Sequence, residues 1–114
     1  MSLVMFQVSC KVAISKDGEA FLTLENIQLL IEIGETGSLM AAARSRQISY
    51  MKAWTMVTML NKTSKYPVVL MQRGGHQGGG AELTEYGRRL LADYLQVEKQ
   101  VGNLLAQINM ELSL

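Results

Sequence analysis

The 114-residue chain holds one cysteine, one histidine and one proline. With Cys10 alone, no intrachain disulfide can form, which fits a reducing compartment. With His76 alone, and Cys10 far from it in sequence, there is no His/Cys cluster with metal-ligand spacing. Nucleophilic catalysis by a Ser-His-Asp or Cys-His set has no partners to work with either. Glu32, Glu35, Glu82 and Glu85 read as cap or surface carboxylates, not as an acid–base pair. An enzyme is therefore not expected, and no cofactor or metal is called for. No apolar run approaches the roughly 18 residues of a membrane span. The N-terminus lacks a basic start followed by a continuous apolar stretch, so it does not read as a secretory signal. A cytoplasmic protein without a membrane partner is the expectation. No internal repeat is present.

Another absence is local. No Asp or Glu occurs between Thr36 and Ala81, where Arg44, Arg46, Lys52, Lys62, Lys65 and Arg73 all fall. The formal charge of the whole chain is only +1, so +6 in this window is offset by −5 elsewhere. An overall balance near zero argues against a nucleic-acid partner; this distribution argues for one. Cations without interspersed acids can pair with backbone phosphates and release counterions.

What is present starts with alternation. Phe6, Val8, Cys10, Val12 and Ile14 are separated by polar or small residues, the period of a half-buried strand. Asp17-Gly18 marks a hairpin turn, and Ala20-Phe21-Leu22 is the expected return strand. Cys10 should then point inward as an inert thiol. Thr23 caps a first helix expected to end near Gly34-Glu35. Ser38 caps a second, from Leu39 to about Ser45, with the small residues Ala41, Ala42 and Ala43 suited to close helix approach. Arg46-Gln47-Ile48 connects it to a third helix capped by Ser49 and running to about Lys62 or Lys65. Pro67 stops the helical region. Val68–Met71 and Ala81–Leu83 read as two strands around a Gly-rich loop.

Two short helices with a three-residue connection, the second helix polar on its outside, read as helix-turn-helix. A hairpin directly after such a helix is the wing of a winged helix. In the third helix Ala53, Met56, Val57 and Leu60 share the inner face, while Met51, Thr55, Thr58 and Lys62 lie opposite. Ser49, Tyr50, Met51 and Thr55 are the candidates for base edges. Lys52, Arg44, Arg46, Lys62 and Lys65 are the candidates for the phosphate backbone, and Ser38, Arg73 and His76 complete the candidate DNA-binding set. Trp54 reads equally well as a buried structural residue or as a DNA contact, and Tyr50 stands one turn before it. The Gly-rich loop lacks the Gly-Lys-Ser/Thr ending of a P-loop, so a wing tip is favoured over a nucleotide cradle.

Thr84 caps a last helix expected from Glu85 to about Met110. Leu90, Tyr94, Val97, Val101, Leu104 and Ile108 step by fours and threes, the seam of helices that pack lengthwise. So small a domain cannot cover this seam alone, which points to a homodimer built on the helix. The expected organisation is a single unit over 1–114: a hairpin over 4–22, helix-turn-helix and wing over 23–83, and a dimerisation helix over 84–114. In fold class it is mainly α with small β-hairpins.

These residues resemble the N-terminal DNA-binding domain of the molybdate-responsive ModE regulator family, and more distantly LysR-type helix-turn-helix domains. The resemblance is carried by Thr36-Gly37-Ser38 with Ala41-Ala42-Ala43, and by Ile48-Ser49-Tyr50 with Ala53-Trp54. It continues in the Gly-rich wing and in Leu83-Thr84, Tyr86-Gly87 and Arg88. It implies a dimeric winged helix that binds double-stranded operator DNA and regulates transcription, with a link to molybdenum. Full-length members add a C-terminal domain that binds molybdate. This sequence ends at Leu114 without one, so a stand-alone DNA-binding version with no small-molecule ligand is expected. The sequence departs from the family pattern at three places. Gln47 stands where the turn usually has Gly, Leu70-Met71 where Glu-Arg is usual, and His76-Gln77 where Lys-Gly is common. The missing arginine before the wing motivates an alternative, a winged-helix protein-interaction module without specific DNA binding.

Overall fold

The computed structural model describes residues 5–72 and 80–114. In chain order these form β1 (Ile14–Lys16), β2 (Glu19–Leu22), α1 (Leu24–Thr36), α2 (Leu39–Ser45), α3 (Tyr50–Thr63), β3 (Val69–Met71), β4 (Ala81–Leu83) and α4 (Glu85–Glu111). Each pair of strands makes its own two-stranded antiparallel sheet. Mainly α with small β-hairpins is therefore the architecture, and the order is that of a winged helix-turn-helix.

Side-chain caps set the helix starts. The Thr23 hydroxyl accepts from the Asn26 N–H, and the Asn26 carboxamide accepts from the Thr23 N–H, a reciprocal capping box. Ser38, Ser49 and Thr84 cap α2, α3 and α4 by accepting from the N–H three residues on. Helix α1 runs two residues beyond Gly34. It stops at Gly37, whose φ of 69° closes the left-handed C-terminal turn. The β1–β2 hairpin turns through Asp17 and Gly18, both at positive φ (52° and 82°), as a two-residue turn of that hand requires.

Ile27, Leu29, Leu30 and Ile33 of α1 are fully buried and form the middle of the core. Ala42 and Ala43 of α2, Ala53 and Val57 of α3, and Val68 and Val69 beside the wing close around them. Because α2 presents alanines here, α1 and α3 both approach it closely.

The N-terminal segment departs from expectation. Residues 5–13 form no strand, and only Ile14–Lys16 joins β2. Phe6, Val8 and Cys10 are exposed, so the Cys10 thiol does not point inward. Alternation marks a segment with one apolar side. It does not supply the neighbouring strand that would turn this segment into part of a sheet. Instead the segment lies along α4. The Tyr94 hydroxyl donates to the Val12 carbonyl at 2.8 Å. The Asn109 carboxamide takes the Val8 N–H at 2.6 Å and donates to the Val8 carbonyl at 3.1 Å.

The 27 residues of α4 make a rod of about 40 Å. Its last fully buried residue is Tyr94. The rest projects, giving extents of 60 × 35 × 21 Å and a radius of gyration of 17.4 Å. A compact chain of this length has a radius near 13 Å.

Candidate nucleic-acid interface

The four residues between α2 and α3, Arg46 to the cap Ser49, place the two helices as a helix-turn-helix. Its bend rests on Gln47, which takes φ of 58°. A glycine would hold this left-handed conformation without strain, so glutamine makes the bend at a conformational cost. Ile48 tucks in behind, with its N–H donating to the Ala43 carbonyl.

On α3 the inner face is as expected, with Ala53, Val57 and Leu60 buried and Met56 packed against them. Outside, Met51 is 67% exposed, and Thr55 and Lys62 lie on the same side, Thr55 exposed and Lys62 at the helix end. The Thr58 hydroxyl turns back to the Trp54 carbonyl at 2.9 Å and is half-buried. Trp54 packs against the core, which places it on the structural side of its two readings. Tyr50, exposed, tilts towards it with ring centres 6.4 Å apart. Ser49 is exposed, and its oxygen is engaged with the Lys52 N–H. Ser38 is half-buried and similarly engaged at the start of α2.

The cations are not all free. Arg44 stands exposed in the last turn of α2. Arg46, in the turn, donates to the Gln28 side chain of α1 at 2.6 Å. Lys52, in the first turn of α3, pairs with Glu25 of α1 at 2.8 Å. The window from Thr36 to Ala81 lacks acids in sequence, yet the fold delivers one to it from outside. Arg73 and His76 lie outside the described residues, as does most of the Gly-rich loop.

Sequence reasoning missed the contacts that hold the wing. Asn61, near the end of α3, accepts from the N–H of Val68 at 2.7 Å and of Val69 at 3.1 Å, and donates to the Val69 carbonyl at 2.9 Å. The Val68 carbonyl in turn accepts from the N–H of Thr84, the cap of α4, whose hydroxyl donates to the neighbouring Pro67 carbonyl at 2.6 Å. Gly87 lets α4 sit against that carbonyl. Arg88 donates to the Leu83 carbonyl at 2.9 Å. An asparagine in a last helical turn followed by a strand carries no local sign of these bonds.

Tyr94 also falls elsewhere than expected. It is fully buried inside its own protomer, so it is not on an exposed seam. Burial raises its phenol pKa above the ordinary 10.0, and the Glu98 carboxylate adds to the rise. Leu90 packs against the core and Val101 is half-buried, while Val97, Leu104 and Ile108 are exposed. Among the described residues no three His, Cys, Asp or Glu gather as a metal site would need. No helix there is long and apolar enough to cross a membrane.

The chain is 43% identical over 90 residues to the molybdenum-pterin-binding protein MopB of Rhodobacter capsulatus, covering 79% of this chain and 33% of MopB. It is 33% identical over 103 residues to the molybdenum transport protein ModE of Azotobacter vinelandii, covering 90% of this chain and 38% of that protein. These matches run through the helix-turn-helix and wing. The chain is a homologue of the ModE and MopB proteins. A third such relative, the DNA-binding transcriptional dual regulator ModE of Escherichia coli, is 39% identical over 88 residues, covering 77% of this chain and 30% of that protein. The chain thus spans about a third of the length of the ModE and MopB relatives it matches. No protein-family model matches it. Among solved structures, the DNA-binding domain of CbnR in its DNA complex matches 79% of this chain and 98% of that one. The TM-score is 0.61 at 19% identity. ZitR from Lactococcus lactis, solved as a variant, matches 94% of this chain and 73% of that one, with a TM-score of 0.60 at 12% identity. At these identities the likeness is one of fold.

Proposed function

We propose that this ModE homologue binds double-stranded DNA sequence-specifically as a homodimer and regulates transcription in molybdenum metabolism. The observation that carries the reading is the outer edge of α3. It offers Met51 and Thr55 beside Ser49 and Tyr50, with Arg44, Arg46, Lys52 and Lys62 around them. Side chains of these types at the N-terminal end of such a helix reach base edges, and the flanking cations meet phosphate. The relatives' names support regulation and molybdenum. The projecting half of α4 supports the dimer, because Val97, Leu104 and Ile108 are exposed there. Residues 1–114 act as one unit in this reading, and a dimer requires two half-sites spaced by whole helical turns.

Selection of bound sequences from a random duplex pool at physiological salt tests it, with an enriched palindrome as the expected result. On the selected site, removing one cation that neutralises a phosphate lowers the slope of log affinity against log salt by about 0.9. Arg44→Ala combined with Lys52→Ala should therefore flatten the slope by nearly 2. An unchanged slope refutes phosphate pairing at these positions. A pool with no enriched motif favours the protein-interaction reading, which the exposed Leu70 on β3 supports.

A further inference from the structure

The N-terminal arm, residues 5–13, has the sequence of a half-buried strand but belongs to no sheet of its own protomer. The outer part of its alternating side is exposed in the protomer, with Phe6 at 53% and Val8 and Cys10 also open, while Val12 packs against the core. Yet the arm is not loose. Val8 is held at both its N–H and its carbonyl by Asn109, and Val12 by Tyr94. These anchors lay the arm antiparallel to α4, from its C-terminal end back to its middle.

The anchoring side chains, Tyr94 and Asn109, fall on the stripe of α4 that also holds the half-buried Glu98, Val101 and Leu105. At 100° per residue, the exposed Val97, Leu104 and Ile108 form the next stripe round the helix. Arm and exposed stripe therefore lie on neighbouring strips of α4. The stripe alone is narrow. From Val97 to Ile108 it runs roughly 17 Å, on a helix about 10 Å across. A stable interface takes about 800 Å² from each partner. The arm widens the surface on the side where the stripe needs it.

We infer that the arm is an interface strand: a second copy of this chain covers its Phe6–Val8–Cys10 side and pairs its backbone edge. The inference rests on the dimer reading above and adds where the interface lies. Asn109 is then a clamp that holds the strand in register for its partner. Two-fold symmetry makes the same arm contribute from both protomers. The alternation finds the burial it encodes in the assembly, where the protomer leaves it open.

The test uses the full chain in three forms: wild type, Leu104→Asp, and the double variant Phe6→Asp with Val8→Asp. Sedimentation equilibrium gives the dimer dissociation constant, and amide hydrogen exchange reads the arm. Circular dichroism checks the helices, which none of these exposed positions should disturb. The expected result has three parts. Wild type dimerises with protected arm amides. Leu104→Asp is monomeric and exposes them. The arm variant dimerises at least tenfold more weakly. If Leu104→Asp dissociates the dimer while the arm variant dimerises like wild type, the arm proposal falls and the dimer on α4 stands. Equal exchange of the arm in dimer and monomer also overturns it. A wild type that stays monomeric overturns the dimer reading itself, and this inference with it.

Discussion

Helix α4 carries two glycines whose surroundings demand opposite responses to the same substitution. At Gly102 an added Cβ meets nothing within 4 Å. Alanine there gains helix propensity and disturbs no neighbour, for a stabilisation of about 0.5–1 kcal/mol. At Gly87 an added Cβ would lie under 3.0 Å from the Val68 carbonyl oxygen and 3.1 Å from the Val68 carbonyl carbon and Cγ1. Val68 is fully buried and cannot swing aside. Its carbonyl would have to give up the Thr84 N–H at 3.0 Å. Such a bond is worth about 1 kcal/mol. Displacing packed backbone costs about 1–3 kcal/mol more, while propensity returns about 1 kcal/mol. Gly87→Ala should therefore destabilise by about 1–3 kcal/mol, or roughly 4–12 °C in Tm for a domain of this size. Urea unfolding of both variants at one protein concentration decides it, since dimerisation would otherwise shift the midpoints. A Gly87→Ala protein as stable as wild type refutes the close approach of α4 to Val68.

Other substitutions probe neighbouring features. Gln47→Gly relieves the left-handed turn and should raise stability by about 0.5–1 kcal/mol after its own entropic cost; a decrease in thermal stability contradicts strain at that residue. Asn61→Ala strands the buried Val68 N–H and should cost about 2–3 kcal/mol. Asn61→Asp keeps that acceptor and should cost less, so equal destabilisation in urea unfolding argues against the bond. Tyr94→Phe should cost about 1 kcal/mol at neutral pH by removing the bond to Val12. Because the phenol pKa is raised in the folded state, the folded protein holds its proton longer than the unfolded chain. That contribution is complete below pH 10 and is lost as pH climbs through the folded value. Wild type should therefore lose stability on entering the alkaline range more steeply than Tyr94→Phe, and parallel pH profiles refute a buried titrating phenol.

Much of this architecture is legible in the sequence because local signals agree with one another. Thr23, Ser38, Ser49 and Thr84 each stand one residue before an apolar period, and each proves to be a cap. Asp17-Gly18 announces its turn in the same way. What is not legible depends on residues far apart in sequence. The steps from Leu90 to Ile108 show that α4 has an apolar side, but spacing cannot separate the part its own protomer covers from the part left open, and Tyr94 falls in the first. Alternation in residues 5–13 reports a sidedness without naming the neighbour. Periodicity assigns Met51 and Thr55 to the outside of α3, yet Glu25 and Gln28 reach Lys52 and Arg46 from a helix whose own sequence gives no hint of it. Asn61 and Gly87 act on the backbone of Val68, and side chain-to-backbone bonds across seven or more residues leave no periodic trace.

The peptide units flanking Val68 serve two masters. The N–H belongs to Asn61 of α3 and the carbonyl to Thr84 at the head of α4. There is consequently no soft joint between the part of the molecule that would read a half-site and the part that would join it to its twin. In a dimer connected through α4, the two reading heads form a caliper of fixed opening. Such a caliper tolerates changes inside a half-site far better than one base pair inserted between the two, because the insertion adds both length and rotation that no hinge absorbs.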